Sequence, residues 1–384
     1  MKQVIAIIFG ITICLLVPAG CGGSEKRTTM DDCPVVAHAD GSGLVVCDLA
    51  SVRDSLDMPM SLLCPDLEII RLENSDEALI GDGNVWISEH YLGAYSYDVA
   101  AYKFFSRTGK FLGVITTRGQ GPNEFVSGIY DSYIDESEGK IYILSMRATK
   151  IMVFDFQGNA LPPIPLPFIV HKGRIKISAG ERTLVVMALP FSDTPCVVWK
   201  QDFDGNIISS IPAGQFVIDP GDYNNELFAA FYGNNMTYYL SRWVAQTDSL
   251  YHYSEVENRL TPAFTVQLID EDEKHTYMEL PGHYVIYRSV DKPGSPMVLV
   301  DKQTLKGAYV RLRMDMLGDI PGEMMRFANG YGIANMHPSN LKEQLEAAIE
   351  HPEKLRPEML QQLTALNESI TDNDNNIVLL GKLK

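Results

Sequence analysis

A hairpin-like pattern returns along this chain about every fifty residues, and a repeat of that length narrows the available folds more than any other feature. It reads AYKFFSRTGKFLGVI around Gly109, KIMVFDFQGNALPPI around Gly158 and VVWKQDFDGNIISSI around Gly205. It weakens to LYHYSEVENRLTPAF around Asn258 and returns as MVLVDKQTLKGAYVRL around Gly307. The spacings are 49, 47, 53 and 49 residues. Each copy is a pair of alternating strands joined by a turn whose Gly or Asn tolerates positive φ.

Another strand precedes each hairpin: NVWISEHY from Asn84, GKIYILSM from Gly139, RTLVVMAL from Arg182, NMTYYLSR from Asn235 and HYVIYRSV from His283. A sixth, GYGIANMH, begins at Gly330. Six such inner strands, with about four strands per period, predict an all-β six-bladed β-propeller over residues 41–384. A sandwich would not repeat this way, and no helical period separates the strands as a parallel α/β fold requires. One helical insertion, about residues 339–366, interrupts the last blade. Asn340 and Glu343 suit a capping box, Leu341, Leu345, Ala348 and Ile349 share an apolar face, and prolines 352 and 357 break the run. A closing strand, 376–384, ends the chain, and LVVCDLA or LEIIRLE near the N-terminus is expected to complete its blade.

The N-terminus carries a separate message. Lys2 and the apolar run Val4–Val17 have the length of a signal peptide and fall short of the about 20 residues of a membrane span. Pro18-Ala19-Gly20 then precedes Cys21, which resembles a bacterial lipoprotein signal. That implies removal of residues 1–20, lipidation of Cys21 and a tether over 21–40. Acyl chains anchor at roughly 0.8 kcal/mol per buried CH₂. The membrane is thus the first expected partner. The expected location is the bacterial cell envelope, as an outer-membrane lipoprotein, with the periplasmic and surface faces both open. Formal charge is −17, which argues against nucleic acid or an anionic surface as a ligand. Cys33, Cys47, Cys64 and Cys196 remain, either as one bridge among the first three or as buried thiols.

The stretch TTRGQGPNEF, Thr116 to Phe125, poses a choice between a phosphate cradle and a turn. Gly119-x-Gly121 continues into Pro122-Asn123-Glu124, so the third glycine of a dinucleotide fingerprint is missing and no Gly-Lys-Ser/Thr follows. Glu124 would set a carboxylate beside a phosphate. The turn fits better: one of Gly119 and Gly121 is expected to take positive φ, Pro122 presets the bend, and Phe125 plugs the space between neighbouring blades. Nucleotide binding is not expected. Alanine at a positive-φ glycine here should cost on the order of 1 kcal/mol.

GKFLGVITTRGQGPNEF resembles the signature of bacterial six-bladed β-propeller lipoproteins, relatives of NHL-repeat propellers. The resemblance extends over nearly the whole mature chain. LEIIRLENSDEALIG is similar to that family's N-terminal segment, and DNDNNIVLLGKLK after the helices to its C-terminal ending. Asn376 stands where the family usually has proline, and Asn123 where it usually has glycine. The resemblance implies a lipid-anchored envelope propeller and transfers no reaction and no catalytic residue.

Other motifs carry little chemistry. Asp372-Asn373-Asp374-Asn375-Asn376 begins like a calcium loop but has Ile377 at the glycine position and Leu383 at the glutamate position, so it reads as a solvated turn. Asp270 to Glu273 reads as an exposed acidic loop. No CxxC, HExxH or GxSxG motif occurs, so no metal ligand, cofactor or catalytic residue is assigned. The scattered histidines could meet only at the propeller axis. Asp54-Ser55-Leu56 and Asp248-Ser249-Leu250 match a tripeptide that some bacteria O-glycosylate, at Ser55 and Ser249. Trp86, Tyr91, Tyr95, Trp199, Tyr238, Tyr239 and Trp243 are expected mainly to pack between blades, with those at strand ends free to line a funnel. Two functions follow. The first is a binding or scaffold protein for a glycan, a peptide or an envelope partner; the alternative is a propeller enzyme of the lyase or lactonase type with an axial metal or His/Arg site.

Overall fold

Six antiparallel sheets account for the repeat. The computed structural model describes residues 29–191, 193–218, 223–232, 235–242, 248–268, 274–287, 297–322, 326–328 and 330–384. Cys21 with its signal, Trp243 and the 270–273 acidic run lie outside the described residues. Blade one comprises Gly83–Ile87, Tyr91–Ser96, Ala101–Ser106 and Phe111–Thr117. Blades two and three follow as Ile129–Asp135, Lys140–Ser145, Ala148–Asp155 and Ala160–Val170, then Gly173–Ser178, Thr183–Ala188, Cys196–Asp202 and Ile207–Pro212. Blade four is Glu226–Tyr232, Asn235–Ser241, Leu250–Ser254 and Arg259–Gln267; blade five is Thr276–Glu279, His283–Tyr287, Met297–Asp301 and Gly307–Met314. Blade six joins Arg326–Ala328, Tyr331–Met336 and Ile377–Lys382 to Glu68–Arg71 from the other end of the sequence. The chain is a six-bladed β-propeller.

The first strands of blades one to five touch their counterparts in neighbouring blades, which places them at the axis. Of the six strands read from sequence as innermost, only NVWIS is; the other five are second strands. Second strands are buried on both faces and read as strong apolar runs, while the axial strands are half wet and mixed, as in the alternation of Gly173–Ser178.

Five hairpin turns hold one residue each in the left-handed region: Gly109, Gly158, Gly205, Asn258 and, in the fifth, Leu305. Gly307, two residues later, does not take positive φ.

Ring closure uses LEIIRLE: Glu68–Arg71 pairs with Ile377–Lys382, from Ile377 opposite Arg71 to Leu380 opposite Glu68. LVVCDLA instead runs parallel to the outermost strand of blade four, with Val45 opposite Phe264. Ser55–Pro59 likewise runs parallel to the outermost strand of blade five. The ordered fold therefore begins ahead of residue 41, with Ala37–Ala39 paired to Val45–Asp48 and Cys33 and Val36 buried. Among the described residues, the outermost strands of blades one, two and three gain no such added strand. Each has two register shifts against its neighbour, and that of blade two contains prolines 162, 163, 165 and 167. Bulges and prolines are the means by which a bare edge resists pairing with other chains.

The insertion forms Pro338–Ile349 and Pro357–Ser369, each opening on a proline, with a 3-10 turn at Pro352–Lys354 between them. Leu341, Leu345 and Leu363 are buried against blades five and six. The N-cap of the first helix is His337, whose side chain accepts from the Ser339 N–H; the Asn340–Glu343 capping box is not used. Proline at the first helical position sets the start three residues earlier than the box would. The cysteines at 33, 47, 64 and 196 are all buried, and none is bridged to another of the four. Burial pushes the Cys47 thiol up to about 12.

Candidate functional site

The strand directions give the propeller two different ends. At one, strands one and two turn, and so do strands three and four. Aspartates there satisfy their own turns: Asp155 accepts from Gln157 N–H, Asn159 N–H and the Asn159 amide, and Asp202 from Asp204 N–H, Asn206 N–H and the Asn206 amide. Asp301 accepts from the Gln303 and Thr304 N–H groups and the Thr304 hydroxyl. The side-chain amides of Asn159 and Asn206, with these backbone donors, hold Asp155 and Asp202 below the ordinary carboxylate range. The other end carries the blade-to-blade crossovers, the turns between strands two and three, and the helical insertion.

TTRGQGPNEF is such a crossover. Gly119 N–H donates to Phe125 O and Phe125 N–H to Thr117 O. Phe125 is 1% exposed, edge-on to Tyr95, among Phe104, Ile129 and Ile143 of blades one and two. Neither Gly119 nor Gly121 takes positive φ, which corrects the sequence expectation. They are small because Glu124 folds back over them: its Oε2 accepts from Gly121 N–H at 2.7 Å and would lie 1.9 Å from a Cβ on residue 119. The carboxylate fills the concavity that a phosphate would need.

The axial strands are tied across blades. Trp86 donates its indole N–H to Asp131 Oδ1 at 3.1 Å, and the other carboxylate oxygen accepts from Ile175 N–H at 2.8 Å. One aspartate thus joins the innermost strands of blades one, two and three. Burial pushes its carboxyl up, while the Arg174 guanidinium opposes the rise.

Beside this seam, at the crossover end, three connections converge. His171 ends the crossover into blade three, Asp193 lies between the second and third strands of that blade, and Tyr223 lies in the crossover into blade four. His171 Nε2 meets both Asp193 oxygens at 2.7 and 2.9 Å, and its Nδ1 meets the Tyr223 hydroxyl at 2.7 Å. With the Nε2 proton directed to the carboxylate, Nδ1 is left to accept the phenol proton. Phe191 stacks beneath Tyr223 at 4.8 Å and 27°. The neighbouring Lys172 donates to the carbonyls of Tyr223 and Asn225 and to Glu226 Oε2 at 3.1 Å. Burial pushes Glu226 up to about 7, and the Leu227 N–H that its other oxygen accepts from resists that shift. His171 is buried, but the Tyr223 ring and the Asp193 side chain are 40% and 48% exposed.

None of these residues was a sequence candidate; a histidine, an aspartate and a tyrosine some 20 to 50 positions apart form no motif. The aromatics that were singled out pack. Tyr95, Trp199, Tyr238 and Tyr239 are buried, and Tyr91 stacks on Phe104. Trp86 is half-buried on its axial strand and engaged with Asp131. Ser55 is exposed on its strand, whereas Ser249 is half-buried beside Asp248, which accepts from Ser249 N–H and the Tyr251 hydroxyl. The calcium-like stretch is a closure device: Asn375 and Asn376 are buried, not solvated. Among the described residues no group of three His, Cys, Asp or Glu side chains could hold a metal ion. Also among them, no helix is long and apolar enough to cross a membrane.

The turn end holds a small open cleft between blades four, five and six, lined in part by Thr237, Glu279, Lys302 and Phe327. Its charges are spent on each other. Glu279 is bound by His252 and by Lys302, each at 2.5 Å, and Lys302 also donates to the Leu280 and Pro281 carbonyls. Burial alone would raise the Glu279 carboxyl, but those two partners outweigh it and hold it below its usual 4.5. A depressed folded pKa gives stability that is present above the unfolded value and lost as pH falls through the folded one. The urea midpoint of the wild type should therefore drop on going from pH 7 to below 4.5. Glu279→Gln should start lower at pH 7 and lose less over the same interval. Equal losses in the two proteins would show that Glu279 does not carry this dependence.

Comparison with known proteins agrees with the architecture. No curated protein matches the chain. Among solved structures, a Bacteroides fragilis protein described as exported is 14% identical, covers 83% of this chain and 95% of its own, and superposes with a TM-score of 0.55. A member of the DUF4221 family from Bacteroides vulgatus covers 84% of this chain and 97% of its own at 10% identity and a TM-score of 0.44. A periplasmic gluconolactonase of Pseudomonas aeruginosa covers 57% and 65% at 10% identity and 0.36. The first likeness concerns the fold alone. Residues 44–382, nearly the whole ring, match the family described as a domain of unknown function, DUF4934, and the chain belongs to that family.

Proposed function

We propose that this propeller is held to the bacterial outer membrane through a lipid on Cys21 and binds a glycan, a peptide or another envelope protein at its crossover end. The observation that carries the binding reading is the contrast between the two ends. Among the described residues of the turn end, Asp155, Asp202 and Asp301 are bound by their own turns, and Glu279, His252 and Lys302 by one another. The crossover end holds an exposed ring and carboxylate, Tyr223 and Asp193, fixed on a buried histidine. Fixed groups facing solvent lose little freedom when a ligand arrives. The anchor reading is supported by the small residues before Cys21 and by the exported character of the Bacteroides fragilis relative.

A photo-crosslinking amino acid at Tyr223 should capture an envelope component in intact cells, and one at Val256 on the turn end should not. Equal capture at both positions, or none at either, would remove the support for this face. Cys21→Ala should release the protein into soluble fractions or leave it unprocessed. A mature, lipid-labelled mutant in the membrane fraction would end the lipoprotein reading.

The Asp193–His171–Tyr223 chain favours a second reading, the propeller enzyme. Its order of carboxylate, imidazole and hydroxyl would let Tyr223 pass a proton to Nδ1 while Asp193 stabilises the imidazolium. Tyr223→Phe separates the two readings, because a ring that only binds survives the change and a proton relay does not.

A further inference from the structure

We propose that the mouth between blades three and four is a glycan-stacking subsite, in which Tyr223 offers its ring face and Asp193 accepts sugar hydroxyls. The inference rests on the ligand-binding reading above and gives it an address and a ligand class. Sugars present an apolar C–H face and a rim of hydroxyl donors, so a receptor needs a flat ring and an acceptor held near its edge. Tyr223 and Asp193 supply both, and one imidazole fixes them together at 2.7 Å on either side. Phe191 stacks on one face of the tyrosine ring, and Tyr223 is 40% exposed. Tyr97 is also exposed at this end, but its hydroxyl has no hydrogen-bond partner among the described residues to fix it.

The charge pattern selects a neutral ligand over a cationic peptide. Both Asp193 oxygens already face the His171 Nε2 proton, and Glu226 is held by Lys172. Among the described residues, Asp193 and Glu226 each already have a donor, which makes them poorer partners for an ammonium or guanidinium than a carboxylate without one. Hydroxyl groups need only the remaining lone pairs, which the carboxylate keeps.

The test is calorimetric titration of the full-length protein in detergent with neutral oligosaccharides: cellohexaose, xylohexaose, mannohexaose, chitohexaose and maltoheptaose. At least one should bind saturably. Tyr223→Ala should weaken that binding by about tenfold or more, the usual scale for truncating an aromatic anchor. Tyr223→Phe, which keeps the ring but loses the hydroxyl that His171 holds, should weaken binding clearly less than Tyr223→Ala, and unchanged melting temperatures would confirm that both variants fold. Sugar binding that Tyr223→Ala leaves intact would overturn the subsite and spare the general binding reading. Hexalysine binding, lost in Tyr223→Ala while no sugar binds, would make the site a peptide site and overturn the glycan assignment. Binding of none of these probes would overturn the subsite, and the crosslinking result would then decide the broader reading by itself.

Discussion

Asn375→Ala should lower the stability of the folded protein by about 3–5 kcal/mol, a large share of what a domain has in reserve. The side chain is 2% exposed and sits where the two ends of the chain meet. Its amide donates to the carbonyls of Glu73 and Ala78 at 2.8 and 2.9 Å, and its oxygen accepts from Ile80 N–H at 2.9 Å. Its own N–H donates to the Asn74 side chain at 2.7 Å. Alanine keeps only the last of these and leaves four backbone groups without partners beneath the seam, because the Asn376 N–H also donates to the Asn375 side-chain oxygen. Arg71, which reaches Asp374 at 3.1 Å, is more exposed and holds the same seam more weakly. Asn373→Ala, at an exposed position two residues earlier, is the control and should change little. Urea denaturation followed by tryptophan fluorescence measures both. If Asn375→Ala unfolds at the wild-type midpoint, the latch is not what closes the ring. Calcium should not move the midpoint of either protein, because Asp374, Asn375 and Asn376 of this stretch already bind the chain itself.

The latch shows why some of the molecule was legible in sequence and some was not. The ring could be read because burial on both faces makes the second strands strong apolar runs, and because tight turns select glycine or asparagine at a fixed phase. Gly109, Gly158, Gly205 and Asn258 follow that rule. Leu305 does not, so the fifth hairpin was phased two residues late, on Gly307. The joining of the two ends was also legible, since a short N-terminal strand and a C-terminal strand each lacked a partner. What fills the polar stretch between them was not: Asn375 looks like a loop residue, and its burial depends on carbonyls about 300 positions away. The crossover shows the same limit. Its glycines were correctly placed in a turn, yet the reason for them is the Glu124 carboxylate folding back and not a left-handed backbone. The mouth residues were invisible for a stronger reason. His171, Asp193 and Tyr223 belong to three connections and acquire meaning only when the ring brings those connections together.

Gly109→Ala should be the most damaging of the hairpin glycine substitutions, through a combination that only the closed ring creates. Gly109 has φ +85, a conformation that costs an L-residue on the order of 1 kcal/mol. A Cβ there would also stand 1.9 Å from the Arg71 carbonyl oxygen, which is main chain of blade six and cannot swing aside as a side-chain tip could. Glu73 N–H donates to the Gly109 carbonyl across the same contact at 2.9 Å. Relieving the clash therefore means parting blade one from blade six at the seam that Asn375 holds. Gly43 separates the two effects, since its φ is +90 and nothing lies within 4 Å of a Cβ built on it. Gly158 is intermediate, with φ +82 and the Val114 carbonyl oxygen 3.2 Å away. The expected order of loss is Gly43→Ala at about 1 kcal/mol or less, then Gly158→Ala, then Gly109→Ala at about 3 kcal/mol. In a domain this long each kcal/mol moves the melting temperature by only about 2 °C, so urea midpoints resolve the series better than thermal scans. If all three variants lose the same amount, backbone conformation alone explains the glycines and the close approach of blade six to blade one contributes nothing. If Gly109→Ala alone stands apart, the glycine is there to let the ring shut.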